Sequence, residues 1–389
     1  MKSILRLIIA TGILAAGSSL ANGGMGNDLD LYFIGNSLTR NLSLDRLEWL
    51  FTQASGELDY GSQLSGGVNL HEHWFRDRDS AQPWRENTLE NQDYGNYPRA
   101  LQSNSFNALV FQPYLYWLET DADDYAGDTN KIGERVAISN FITYALGDNP
   151  SSNIAAQRFF VYGTWPRLLG IHYRNPDTPE PAVLPEYGNT YTGYTFTSFY
   201  NEPYSKNVRW GQASQTVPTR DFCTQLVERL NKNFPGLPAP VRLIPAGDVF
   251  AALDGQIRSG TLPGLEEHLS RPDIAAYYAN ARKDDTMGSG TNEIIRFPIP
   301  TNTPFSAEHG IVNFYCDQVH MNDQPHNGPD EGCVGSYVAA LTIYATVTGL
   351  NPVGLPATDG TNGWEKFDPV DDAELIEALQ NAVWNTVIN

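Results

Sequence analysis

Three residues able to carry out nucleophilic hydrolysis stand far apart in the chain. Ser37 lies in Phe33-Ile34-Gly35-Asn36-Ser37-Leu38-Thr39, and Asp317 and His320 lie in Asp317-Gln318-Val319-His320. A serine hydroxyl is a weak nucleophile until a base takes its proton. An imidazole can take that proton, and a carboxylate beside it fixes the tautomer and stabilises the imidazolium. An Asp-x-x-His loop lets one turn present both groups. The pattern suits nucleophilic catalysis, with Ser37 as nucleophile, His320 taking its proton and Asp317 holding the imidazole. Each piece alone is weak, because a serine in a turn is more often a cap or a turn former and Asp-x-x-His is common by chance. Asp248 and His309 are reserve partners for the triad.

The elements that must position these groups are legible around them. The apolar run Leu31–Ile34 stops at Gly35, which reads as a strand leaving one hydroxyl at its carboxyl end. In open α/β sheets ligands bind at that edge. A helix follows over Leu44–Ala54, with Leu44, Leu47, Leu50, Phe51 and Ala54 on one side and Gly56 as its stop. Leu58–Leu64 is a weaker strand leading to Gly66-Gly67. Phe106–Phe111 and Phe159–Tyr162 are near-continuous apolar runs, as expected of strands covered on both faces, and Val241–Ile244 is a further strand. Helices are expected over Ile132–Leu146, Phe222–Phe234, Ser336–Thr348 and Asp371–Ile388, with Asp371 and Glu374 at capping-box spacing. Strands alternating with helices predict an α/β fold with a parallel sheet between two helical layers.

Composition narrows the partners. Lys and Arg number 25 against 45 Asp and Glu, a net charge of −20. Such a surface repels nucleic acid and anionic membranes. The first 21 residues read as a signal peptide: a basic start at Lys2 and Arg6, an apolar core over Leu7–Ala16, and a small-residue cleavage site at Ser19-Leu20-Ala21. Its removal takes the charge to −22, since it holds two bases and no acid. The apolar core is too short for a stop-transfer helix, no later run reaches the ~18 apolar residues of a spanning segment, and no cysteine near the cleavage site offers a lipid anchor. The expectation is an exported, periplasmic or extracellular protein. Residues 22–389 then form a single α/β domain with irregular insertions at about 171–219 and 271–316.

The first insertion is rich in aromatics, among them His172, Tyr173, Tyr187, Tyr191, Tyr194, Tyr200, Tyr204 and Trp210. Loops of this length in a compact domain tend to be functional. The rings suit sugar faces, or they simply glue the insertion to the body. Three cysteines, Cys223, Cys316 and Cys333, are too few for a disulfide scaffold. Cys316 and Cys333 flank His320, and a bridge between them would be worth roughly 3 kcal/mol by loop entropy; that bridge and three buried thiols both remain open. No Cys or His spacing suggests zinc, and His71-Glu72-His73 is not His-Glu-x-x-His, so a structural role near the cleft is favoured for it. The acidic run Glu119, Asp121, Asp123, Asp124 and Asp128 lacks the glycine of a calcium loop and reads as a solvated face.

Taken together, Gly35-Asn36-Ser37-Leu38 near the mature N-terminus and Asp317-x-x-His320 near the C-terminus resemble the SGNH, or GDSL, hydrolases. The resemblance runs in order over most of the mature chain and includes Gly335-Ser336-Tyr337-Val338-Ala339-Ala340, which looks like the helix after the family's last block. It implies a flavodoxin-like three-layer α/β/α sandwich and ester hydrolysis without metal or other cofactor. It also implies an oxyanion hole built from the Ser37 amide, the Gly67 amide and a third donor. Asn36, Gly66, Asn69 and Tyr114, neighbours of these blocks, are candidates for substrate contact.

Two departures stand out. Asn36 replaces the aspartate of the name-giving motif. The family's Gly-x-Asn-Asp block is missing after the strand Ala108–Phe111, where Gln112-Pro113-Tyr114 follows instead. Gln112 still offers an amide N–H, one methylene further out, and is the candidate third donor. A Gly-x-Ser-x-Gly nucleophile elbow is absent from the mature chain. Export, aromatic insertions and family habit point to an O-acylated, typically acetylated, carbohydrate as substrate. A lipid or small-molecule ester is the alternative within enzymes, and a non-catalytic carbohydrate-binding protein on the same fold is the alternative outside them.

Overall fold

The computed structural model describes residues 25–40, 42, 44–78, 94–114, 118, 132–148, 158–166, 195–204, 218–270, 310–311, 334–357 and 372–389. The leader, the acidic run 119–128, Asp317, His320, His309, Cys316, Cys333 and most of both insertions lie outside the described residues.

Five strands form one all-parallel sheet: β1 (Asp28–Gly35), β2 (Glu57–Leu64), β3 (Ala108–Phe111), β4 (Arg158–Tyr162) and β5 (Arg242–Ile244), in the order β2-β1-β3-β4-β5. This is the flavodoxin-like order, and the expected α/β three-layer architecture is what the chain adopts. Registers are simple: Asp28 pairs with Glu57 and Gly35 with Leu64, Leu31 with Ala108 and Ile34 with Phe111. β3 and β4 align from Ala108 with Arg158 to Phe111 with Val161, and Tyr162 pairs with Ile244. All five carboxyl ends therefore fall along one edge.

Side chains alternate between the two faces, as the pleat requires. Leu31, Phe33, Ala108, Val110, Phe160 and Tyr162 enter one core, and Tyr32, Ile34, Leu109, Phe111, Phe159 and Val161 the other. Both sets are buried, which explains why the sequence shows apolar runs rather than alternation.

The first face is covered by α2 (Leu44–Gln53), α8 (Ala246–Ser259), α10 (Val334–Thr348) and α11 (Ala373–Val387). The second is covered by α3 (Leu70–Arg78), α4 (Tyr97–Ser103), α5 (Glu134–Thr143) and α7 (Arg220–Asn233). Short helices α1 (Ser37–Arg40), α6 (Phe196–Tyr200) and α9 (Leu265–Ser270) complete the set of described helices. The predicted helix ending at Leu146 closes instead at Thr143, followed by a wide turn over Tyr144–Asp148 with Gly147 at φ 99°. The N-cap of α11 is Asp372, with no side-chain cap bond, rather than Asp371.

The direction of α10 matters for the site. Its start is tied to the start of α2, where Arg46 Nη1 donates to Ser336 Oγ at 2.7 Å. Its end meets the chain just before β1: Met25 N–H donates to Val347 O and Gly26 N–H to Thr348 O. α10 thus runs antiparallel to β1, and its N-terminus lies at the carboxyl edge of the sheet. All fifteen of its residues are buried.

Candidate active site

β1 ends at Gly35, Asn36 follows, and Ser37 opens α1. Asn36 is the cap that makes this turn. Its side-chain Oδ1 accepts from Leu38 N–H at 3.0 Å, and its carbonyl accepts from the N–H groups of Thr39 and Arg40. Side-chain oxygens at the N-cap satisfy amides that a helix start would otherwise leave orphaned. Ser37 is half-buried on the first helical residue.

The other end of the Asn36 amide reaches the next loop. Its Nδ2 donates to Val68 O at 3.2 Å. An ionised aspartate has no hydrogen for that carbonyl and would set charge against it. Fully buried and bonded internally on both sides of its amide, Asn36 builds the turn.

The Asn36–Val68 bond joins the turn to the loop after β2. Gly66 and Gly67 are exposed there, and Gly67 holds φ +68°, a region that suits glycine. Asn69 is buried and caps α3 reciprocally with Glu72: Glu72 N–H donates to Asn69 Oδ1 at 2.9 Å and Asn69 N–H to Glu72 Oε2 at 3.4 Å. That capping box is the sequence signal that marks the start of α3.

From the other side comes Gln112, directly after β3 and 1% exposed. Its backbone N–H continues the ladder to Ile34 O at 2.9 Å. Its Oε1 accepts from Asn36 N–H at 2.9 Å, and its Nε2 donates to Pro113 O at 2.6 Å. Gly35 is required by this approach: a Cβ there would sit 2.8 Å from Gln112 Cβ and 2.9 Å from Thr39 Oγ1. Tyr114, half-buried, has its N–H held by Glu134 Oε1 at 2.9 Å.

Ser37, Gly66-Gly67 and Gln112 thus follow three adjacent strands at one edge. β1 and β3 are neighbours from which the chain departs in opposite directions across the sheet, so Ser37 and Gln112 flank the topological switch point, where open α/β sheets form their crevice.

The histidine pair near this loop has structural partners. His71 Nδ1 accepts from Ile132 N–H at 3.0 Å, and the fully buried His73 bonds to Gln63 and Gly35. Asp248, the reserve acid, lies at the start of α8 after β5, three strands from β1. At ~4.8 Å per strand that is about 14 Å. Its carboxylate is bonded by Arg220 and by Tyr200 O–H, and burial raises its pKa despite the arginine. The Cys223 thiol beside it is buried, with its pKa pushed up by burial. Among the described residues no group of three or more His, Cys, Asp or Glu is placed to hold a metal ion, and no helix is long and apolar enough to cross a membrane.

No protein-family model matches the chain, and no curated protein matches it. Among solved structures the chain is similar to a DUF4886 family protein from Bacteroides uniformis, at 13% identity and a TM-score of 0.44, over 93% of this chain and 95% of the other.

Proposed function

We propose that the protein is an exported serine ester hydrolase of the SGNH type that deacylates an O-acylated carbohydrate. The observation that carries this reading is the position of Ser37: first residue of a helical turn, at the carboxyl end of a buried strand, beside the switch point of the sheet. Two further features support it. The exposed Gly66-Gly67 loop is tied to the same turn. The segment carrying Asp317 and His320 leads into α10, whose N-terminus opens at the same edge as Ser37.

In this mechanism His320 takes the proton from Ser37 Oγ, which attacks the ester carbonyl. The oxyanion is held by the amides of Ser37 and Gly67 and by Gln112 Nε2, whose second hydrogen is the one the oxyanion would take. His320, steadied by Asp317, protonates the sugar oxygen as it leaves. Water then repeats the sequence on the acyl-serine and frees the acid. Gly66, Asn69 and Tyr114 border the acyl and sugar positions.

The test is labelling of the mature protein with a fluorophosphonate probe, followed by acetate release from a panel of acetylated polysaccharides. Label on Ser37 and its loss in Ser37→Ala are expected. Turnover unchanged in that variant would end the reading, and a preference for simple esters over every polysaccharide would move the substrate to small molecules.

A further inference from the structure

The peptide bond between Gly35 and Asn36 lies one residue before Ser37, and side chains from opposite sides hold both of its ends. At the nitrogen, Asn36 N–H donates to Gln112 Oε1. At the oxygen, Gly35 O accepts twice, from Ser65 N–H at 3.2 Å and from His73 Nε2 at 2.7 Å.

The second of these bonds belongs to a chain whose polarity has no freedom. Tyr97 N–H can only donate, and it donates to Gln63 Oε1 at 2.7 Å. Gln63 therefore turns Nε2 toward His73 Nδ1, 3.0 Å away. An amide nitrogen can only donate, so Nδ1 must be bare and accept. The ring proton is then on Nε2, facing Gly35 O, which can only accept. A backbone amide in α4 fixes the tautomer of a histidine in α3, and that histidine fixes the plane of the peptide before Ser37. Gln63, His73 and Gln112 are all buried, at 1% exposure or less.

We propose that His73 is a positioning residue for the Ser37 nucleophile: as its Nε2–H tautomer it holds the Gly35–Asn36 peptide opposite Gln112 and so sets the direction in which Ser37 leaves the strand. The inference rests on Ser37 being the nucleophile. It concerns a histidine distinct from His320, one that touches no reacting atom.

Glutamine and asparagine separate the two ring nitrogens. The amide nitrogen of Gln reaches about as far as Nε2, and the amide oxygen of Asn about as far as Nδ1. His73→Gln keeps a donor for Gly35 O. His73→Asn keeps an acceptor for Gln63 but leaves Gly35 O without this donor. The rate of fluorophosphonate inactivation reads the nucleophile without reference to the natural substrate, and p-nitrophenyl acetate turnover gives kcat and KM.

The expected result is inactivation and kcat lowered on the order of 10–10²-fold in His73→Asn, since small misplacements of reacting groups cost rates of that order. KM should be nearly unchanged, and His73→Gln should lie within about 3-fold of wild type on the same scale. A folded His73→Asn that reacts at the wild-type rate, or glutamine and asparagine variants that are equally slow, overturns the proposal. If His73→Asn does not fold, the wild-type imidazole decides by long-range ¹⁵N–¹H correlation. Protonation at Nε2, with a signal that shifts when Ser37 is phosphonylated, supports the proposal. Protonation at Nδ1, or a signal indifferent to that modification, overturns it. Failure of the wild type to label at Ser37 is a separate result: it overturns the hydrolase reading and removes the nucleophile that His73 would position.

Discussion

Replacing Gln112 by methionine tests the other end of the same peptide. The two side chains are close in volume, so the cavity term is small and the polar terms are isolated. Methionine leaves the buried Asn36 N–H without its acceptor at 2.9 Å and Pro113 O without its donor at 2.6 Å. A buried group stripped of its partner costs about 1–3 kcal/mol, so the two together cost about 2–6 kcal/mol. With about 2 cal/mol/K of unfolding entropy per residue and a chain of 389 residues, that corresponds to a melting shift of only about 2–7 °C. The urea midpoint at constant m is therefore the better stability assay. The kinetic effect should be larger. If Gln112 also serves the oxyanion, its loss lowers kcat by about 10²–10³, or roughly 2.7–4 kcal/mol, and leaves KM nearly unchanged. Gln112→Glu keeps an acceptor for Asn36 N–H but sets a second oxygen against Pro113 O and a charge against the oxyanion, so it should be at least as slow. A rise in KM alone would make Gln112 a substrate contact. An unchanged urea midpoint together with unchanged kcat would refute both of its assigned roles.

Further outcomes follow from neighbouring contacts. Asn36→Asp removes the hydrogen given to Val68 O and should slow fluorophosphonate labelling at neutral pH; an aspartate variant as reactive as wild type would show that the bond between turn and loop is dispensable. Asp254 is fully buried and accepts from Thr197 N–H and O–H, Ile311 N–H and Arg258 Nε, so Asp254→Ala should cost about 3–5 kcal/mol in urea unfolding, and a cost below about 1 kcal/mol would contradict that network. The Asp248 pKa is raised above its ordinary 3.8, chiefly by burial. Its native form therefore holds a proton longer than the unfolded chain does, and stability falls as pH climbs from the unfolded to the folded value. The stability of Asp248→Asn relative to wild type should accordingly grow with pH across the carboxylate range and then level off, and a difference that shrinks would mean that Arg220 outweighs burial.

The parts of this molecule legible in the sequence are those whose physics is local. β1, β3 and β4 announce themselves because burial on two faces writes unbroken apolar runs, and α2 because one apolar stripe recurs with helical period. Helix α3 was hidden by its composition: Leu70-His71-Glu72-His73-Trp74 alternates ring and charge with no clean stripe, and only the Asn69–Glu72 cap marks its start. Helix α8 follows Pro245 without a side-chain cap, so no capping residue marks its start. Gln112 was recognisable by its place after a buried strand, but its bond to Asn36 N–H was not, because it spans 76 positions and depends on the β1–β3 register. The same is true of His73, whose bonding depends on where β2 and α3 bring it. Asp317 and His320 are legible as chemistry, and their geometry lies outside the described residues.

The burial of α10 has a consequence for how the chain reaches its fold. Leu31, Phe33, Val110 and Phe160 share a core with α10, a cover made about 300 positions later in the chain. At about 5–20 residues per second, the interval between Gly35 and Val334 leaving the ribosome is about 15–60 s. Throughout that time the face that α10 will occupy is an uncovered apolar surface, and Met25 and Gly26 lack the carbonyls of Val347 and Thr348 that will fix the start of β1. Contacts this distant in sequence also make folding slow once the chain is complete. The nascent protein is thus held open by its own topology until α10 and α11 are released, a state that a chaperone can hold and a protease can cut.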